Sequence, residues 1–141
     1  MSKGVVQQSF SGPFSTETFE ISVYDASYGD YDDDNHVDDI KCFMKLEAFD
    51  NFSRNTFLLD IYLIDPAGAE YSYSLLVSTF YNGITFKLLF INHANVPGDY
   101  TIRVEANFHY QGTYYGACEI IFDPPTEQIP DDEPFLTYEV V

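Results

Sequence analysis

The chain has 141 residues and a formal net charge of −17, with 23 Asp and Glu against six Lys and Arg. That length fits one domain with a real core, while so few, scattered bases exclude nucleic-acid binding by phosphate neutralisation and disfavour an anionic membrane surface. No apolar run approaches the roughly 20 residues of a membrane span, so no membrane insertion is expected.

Residues 1–17, with Ser, Gln, Gly and a short Gly4-Val5-Val6 segment, read as an N-terminal arm, and no signal peptide is visible in them. Phe19, Ile21 and Val23 then alternate with Glu20 and Ser22, the period of a strand. Six carboxylates follow within Asp30-Tyr31-Asp32-Asp33-Asp34-Asn35-His36-Val37-Asp38-Asp39, with no compensating base. Carboxylates so crowded repel one another, and a hard divalent cation relieves the repulsion by taking several oxygens at once. Asp30, Asp32, Asp34 and Asp38 fall at relative positions one, three, five and nine, with the His36 carbonyl at seven. This is the ligand rhythm of an EF-hand-like calcium loop. Position six is Asn35, the residue after Gly best able to take φ > 0. Position twelve is Lys41, which cannot ligate, so a full EF-hand is not expected. The plain alternative is a solvated acidic turn.

From Asp39 to Phe49 a second strand alternates Ile40, Cys42, Met44, Leu46 and Ala48 with Lys41, Phe43, Lys45 and Glu47. The loop-then-strand pattern resembles the shortened D-x-D-x-D-G-x-x-D loops of FG-GAP (integrin-type) repeats and of calcium-dependent, immunoglobulin-like β-sandwich surface proteins. That resemblance covers about a tenth of the chain, and Asn35 departs from its Gly. It implies Ca2+ held by Asp30, Asp32, Asp34 and Asp38, with backbone oxygen from His36 and with Asp39 or Asp25 completing the shell.

Strands continue over Thr56–Ile64, which is apolar on nearly both faces, and over Tyr71–Phe80, with Asp65-Pro66-Ala67-Gly68 as the turn between them. Asn82-Gly83 favours a tight hairpin into Ile84–Ile91. Pro97-Gly98-Asp99-Tyr100 introduces the alternating strand through Phe108. This stretch looks like the penultimate strand of immunoglobulin-like surface modules. Ala117–Phe122 closes the series. About seven to eight strands without a helix predict an all-β fold, a single antiparallel β-sandwich of immunoglobulin-like or jelly-roll type over residues 18–123. Residues 124–141 read as a proline-rich, acidic C-terminal arm whose last eight residues have the pattern of a strand, as a frayed tail, one more strand of its own sheet or an addition to a neighbour's edge.

Cys42 and Cys118 share parity with buried neighbours, so both point inward, as a disulfide or as two free thiols. No catalytic constellation emerges. His36, His93 and His109 are far apart, and Asp60 on its apolar strand faces solvent or caps Lys87. The expected protein is a non-enzymatic, calcium-stabilised structural or adhesion module, extracellular or at a cell surface. Its partners would be copies of itself, as in a filament or surface layer, or other surface proteins. An N-x-S sequon at Asn51-Phe52-Ser53 agrees with a surface location. A carbohydrate-binding module is the alternative, with Tyr28, Tyr31, Tyr114 and Tyr115 stacking on glycans. An acidic nucleic-acid mimic is a weaker one, because the carboxylates cluster instead of covering a face.

Overall fold

The computed structural model describes residues 4–5, 8–10, 14–15, 19–48, 55–79, 83–94, 96–109, 113–123 and 134–141. The Asn51 sequon, Asn82, Tyr110, the side chains of His109 and Tyr114, and the prolines between Asp123 and Pro134 lie outside that set. Eight long strands carry the fold: β4 (Phe19–Gly29), β5 (Asp39–Ala48), β6 (Asn55–Ile64), β7 (Glu70–Thr79), β8 (Gly83–Ile91), β9 (Tyr100–His109), β10 (Thr113–Phe122) and β11 (Phe135–Val140). Three short ones precede them, β1 (Gly4–Val5), β2 (Gln8–Phe10) and β3 (Phe14–Ser15). Every pairing is antiparallel. One sheet runs β1-β4-β5-β8-β11, with β3 also on β4, and the other runs β2-β10-β9-β6-β7. The chain is an all-β sandwich, as the alternation predicts.

The order of the long strands settles which sandwich. Taking β4 to β10 as A, B, C, C′, E, F and G, the sheets read A-B-E and G-F-C-C′, the immunoglobulin arrangement and not a jelly roll. Tyr100, fully buried at the start of β9, donates its hydroxyl to the Val96 carbonyl (2.7 Å) and accepts from the Val96 N–H (3.0 Å). A tyrosine in that place is the corner that pins the E-to-F crossing in immunoglobulin-type sandwiches. The place beside E that strand D holds in constant-type domains is taken here by β11, from the far end of the chain. The segment read as an N-terminal arm instead gives short edge strands to both sheets, two on β4 and one on β10.

Alternation also sets the core. Ile21, Val23, Ile40, Met44 and Leu46 face Leu59, Ile61, Ile102, Val104 and Ile120 across the two inner surfaces. Phe57 stacks on Phe108 at 4.6 Å between ring centroids, and Phe19 meets both. Side chains of this kind contribute about 1.5–3 kcal/mol each when fully buried, the dominant stabilising term. Asp60 lies on the outer face and accepts from Ser74 Oγ at 2.8 Å, while Lys87 pairs with Glu139 and not with Asp60.

Cys42 and Cys118 lie inside as their parity requires, but as free thiols and not as a bridge. Burial pushes both upward, Cys42 strongly, with Cys118 nearby adding to it, and Cys118 to about 11. A thiol reagent such as DTNB at pH 8 is therefore expected to find neither in the native protein and both after unfolding, because only the thiolate reacts.

Five loops and strand ends converge at one end of the sandwich. They are the acidic loop between β4 and β5, the 65–69 turn, the 92–99 crossing, the end of β10 and the start of β11 beside Ile91. Gly98, at φ +125°, lies so close to Pro66 that a Cβ there would meet the proline at 2.8 Å, which locks the crossing onto the turn. This end holds the chemistry.

Candidate metal centre

The sequence makes the loop by giving it acceptors where its own N–H groups need partners. Asp30 accepts from the Asp34 N–H at 3.1 Å and the Asn35 N–H at 2.9 Å, one to each oxygen. Asp34 Oδ1 accepts from the His36 N–H at 2.9 Å. Asp33 (φ 57°) and Asn35 (φ 67°) both turn through the left-handed region, which Asx residues enter most readily among those with a side chain. Asn35 thus has the conformation that its place in the rhythm demands. Asp33 shares it, which the spacing did not foretell.

Asp39 is the fixed point. With no solvent exposure, its Oδ2 accepts from the N–H groups of Tyr31 (2.7 Å) and Asp32 (3.2 Å), and its Oδ1 from the Asn92 N–H (2.8 Å). Burial pushes it up to about 6, against the hydrogen bonds from Asn92 and Tyr31, which favour the carboxylate. Its neighbour Asp38 brings its carboxyl against that of Asp39, side chain to side chain. It is 3 % exposed, and its Oδ1 is buried without a hydrogen-bond partner. A buried carboxylate oxygen in that state is costly unless something positive meets it.

Two sets of three carboxylates bring their oxygens within 4.8 Å of one another: Asp32, Asp34 and Asp38, and Asp30, Asp32 and Asp39. Asp32 belongs to both. All the carboxylates that the spacing selects are therefore drawn together, and this acidic cluster is able to bind a metal ion. The three backbone N–H groups on Asp39 make it the clamp that shapes the loop as well as a member of the second set. Asp25 is not in either set. It sits exposed at φ 55° in a bulge of β4 between Tyr24 and Ser27, which turns Ala26 and Ser27 inward. His36 stands half-buried in the loop. Lys41 turns to the face of Tyr31, 5.1 Å from its centroid.

The cluster is electrostatically stressed. Burial, then the charge of Asp39, raises Asp32 to about 7, and burial with the charges of Asp34 and Asp32 raises Asp38 to about 6. Asp30 runs the other way: burial raises it, but the N–H groups of Asp34 and Asn35 outweigh that and lower it. Where the folded value of an acid exceeds its unfolded value, the folded state binds more protons, and stability falls as pH rises between the two. In EDTA the melting temperature is therefore expected to climb as pH is lowered from 8 to 6.5. With saturating calcium the climb should vanish or reverse, because protons then compete with the ion. Melting curves at four or five pH values with and without EDTA check this.

The loop is tied into both sheets through residues 92–94. Asn92 donates to Asp39, and the Ala94 N–H donates to the Asp38 carbonyl at 2.8 Å. His93, 3 % exposed, places Nε2 2.7 Å from the Tyr73 hydroxyl and lies against Tyr71 and Phe90. Burial lowers it to about 4, so it stays neutral.

The tyrosines divide. Tyr31 donates its hydroxyl to the Tyr28 carbonyl at 3.1 Å and lies 3.1 Å from Ser27 Oγ, which makes it a strut of the loop. Tyr115 is 48 % exposed on the outer face of β10, away from that strut. Among the described residues no helix is long and apolar enough to cross a membrane. No protein-family model, curated protein or solved structure matches the chain.

Proposed function

We propose that this protein is a non-enzymatic, calcium-stabilised structural or adhesion module of the extracellular or cell-surface type, which assembles with copies of itself. The observation that carries the metal half of this reading is the buried, unpartnered Oδ1 of Asp38 beside Asp32 and Asp34. Oxygen ligands alone, on a loop that turns through φ > 0 at Asp33 and at Asn35 in position six, suit a hard cation of flexible coordination. Calcium fits that description better than magnesium, which demands a near-ideal octahedron and keeps its waters. The ion would link Asp38, at the entry to β5, to the loop, and through residues 92–94 to Tyr73 of the other sheet. Such a site would stabilise an edge between two layers. The glycan alternative is the weaker of the two, since Tyr31 is committed to the loop and Tyr115 stands apart from it.

Thermal unfolding with calcium and with EDTA tests the reading, with light scattering on the same samples. A ligand at about a hundred times its Kd adds about 2.7 kcal/mol, or roughly 10 °C for a chain of this size. A rise of that order with particle growth is the expected result. Unchanged melting and unchanged particle size on chelation would sink the proposal.

A further inference from the structure

Outside β11 and Val141, the described residues expose three large apolar side chains, and all three fall in one row. Leu76 lies directly opposite Leu58, Leu58 opposite Asn107 and Asn107 opposite Tyr115. The row therefore crosses β7, β6, β9 and β10 on the outer face of their sheet, with Leu76 67 % exposed and Leu58 39 %. Two residues along the strands, on the same face, Asp60 stands directly opposite Glu105. Like charges so placed destabilise a ladder. Among the described residues of this face Arg103 is the one base, and it is already bonded to Glu105 at 2.9 Å, while Glu70 and Glu119 add further acid. A face with apolar anchors and surplus negative charge is complemented by a surface that offers apolar side chains and bases together.

The chain carries such a surface on its other side. Of its six bases, Lys41, Lys45 and Lys87 stand on the outer face of the β4-β5-β8 sheet. Glu20, Glu47 and Glu139 balance them there, so this face is neutral in a chain of charge −17. At its centre Tyr24 and Phe43 lie directly opposite each other and stack at 5.7 Å. On β5, Lys41 and Lys45 flank Phe43 at two residues to either side, or about 7 Å, the same step that separates Asp60 from Leu58.

We propose that the outer face of the β7-β6-β9-β10 sheet docks the outer face of the β4-β5-β8 sheet of a second copy of this chain, front to back. With the Leu58 row laid on Tyr24 and Phe43, the Asp60–Glu105 row meets a lysine whichever way the strands run. A symmetric pairing of the acidic face would instead oppose surplus negative charge with more of the same. The four ten-residue strands of that face, about 4.8 Å apart, span about 600 Å², and two such partners reach about 1,200 Å², the lower end of stable specific interfaces. A front-to-back contact leaves one face open at each end, so copies add in series.

The inference rests on the assembly reading and names its two faces. Leu58→Thr with Leu76→Thr blunts one face, and Phe43→Thr with Lys45→Glu blunts the other, all at outward positions where Thr suits a strand. Size-exclusion chromatography with light scattering follows each variant in saturating calcium at the concentration where the parent grows, with melting curves to show that it is folded. If a double variant does not fold, the exposed single changes Leu76→Thr and Lys45→Glu take its place. The expected result is loss of growth in each variant alone. Their equimolar mixture, which keeps one intact face of each kind, should form a one-to-one complex of twice the chain mass and grow no further. A mixture that stays monomeric, or loss of growth in only one variant, overturns the proposal, because a front-to-back contact needs both faces. Growth of both variants as in the parent places assembly on another surface, so this proposal fails and the assembly reading stands. A parent that stays monomeric in calcium removes the assembly reading itself, and this inference with it.

Discussion

Asp39→Asn is expected to lower the melting temperature by about 3–10 °C, and to do so in EDTA as much as in calcium. The carboxylate accepts three backbone N–H groups, two from the start of the acidic loop and one from Asn92, and it has no exposure to water that could replace them. Asparagine keeps the shape but offers one acceptor oxygen, and it aims an NH2 donor at N–H groups that are donors already. At least one buried N–H is then left without a partner, and the loop loses its hold on the 92–94 crossing. A buried N–H left without a partner costs about 1–3 kcal/mol, which at this chain length corresponds to the stated fall. Independence from calcium is the decisive feature. A residue whose main role was ligation would lose its effect in EDTA, whereas a clamp is needed whether or not an ion is bound. Melting curves of the variant and the parent in both buffers make the comparison, and equal melting in EDTA would return Asp39 to the ligands.

Much of this was legible in the residues, and the unread parts have identifiable causes. Strict period-two alternation placed β5 and β9 and their inward faces, because one residue of slip would turn a whole apolar face to water. The spacing of Asp30, Asp32, Asp34 and Asp38 brought together the carboxylates that do converge, and Pro97-Gly98-Asp99-Tyr100 marked the corner tyrosine. The last turns of β4 were missed because the bulge at Asp25 breaks the parity that carried the signal. Asp38 and Asp39 are chemically identical neighbours. Which of them takes the N–H groups and which keeps an unpartnered oxygen depends on where β5 begins, and two adjacent aspartates cannot reveal that. His93 and Asn92 gave no local sign of their importance, since their partners, Tyr73 and Asp39, lie 20 and 53 residues away. The position of β11 beside β8 is also a nonlocal fact. Its six residues announced a strand, but an immunoglobulin order with its D place refilled from the terminus has no signature in local pattern.

Asp32→Ala should act with the opposite sign in the two states. Asp32 is exposed and is the one carboxylate common to both three-acid sets, with oxygens within 4.8 Å of four other aspartates. Two unit charges at that separation repel by nearly 1 kcal/mol even at the dielectric constant of water. In EDTA, removing Asp32 therefore relieves several such pairs at once, and the metal-free protein should become more stable by about 1–2 kcal/mol, or roughly 3–8 °C. In calcium the same change removes the carboxylate that the two sets share, so the increment of about 2.7 kcal/mol expected for the parent should shrink to near zero. The two curves of the variant would then nearly coincide, at a temperature between the parent's EDTA and calcium values. An acidic turn without an ion predicts something else: a variant stabilised by the same amount in both buffers, with a parent that never responded. A structural role for the Asp32 side chain predicts a loss in both. Each account leaves a different pair of signs, so four melting curves decide among them, and they decide without any assumption about what the assembled protein adheres to.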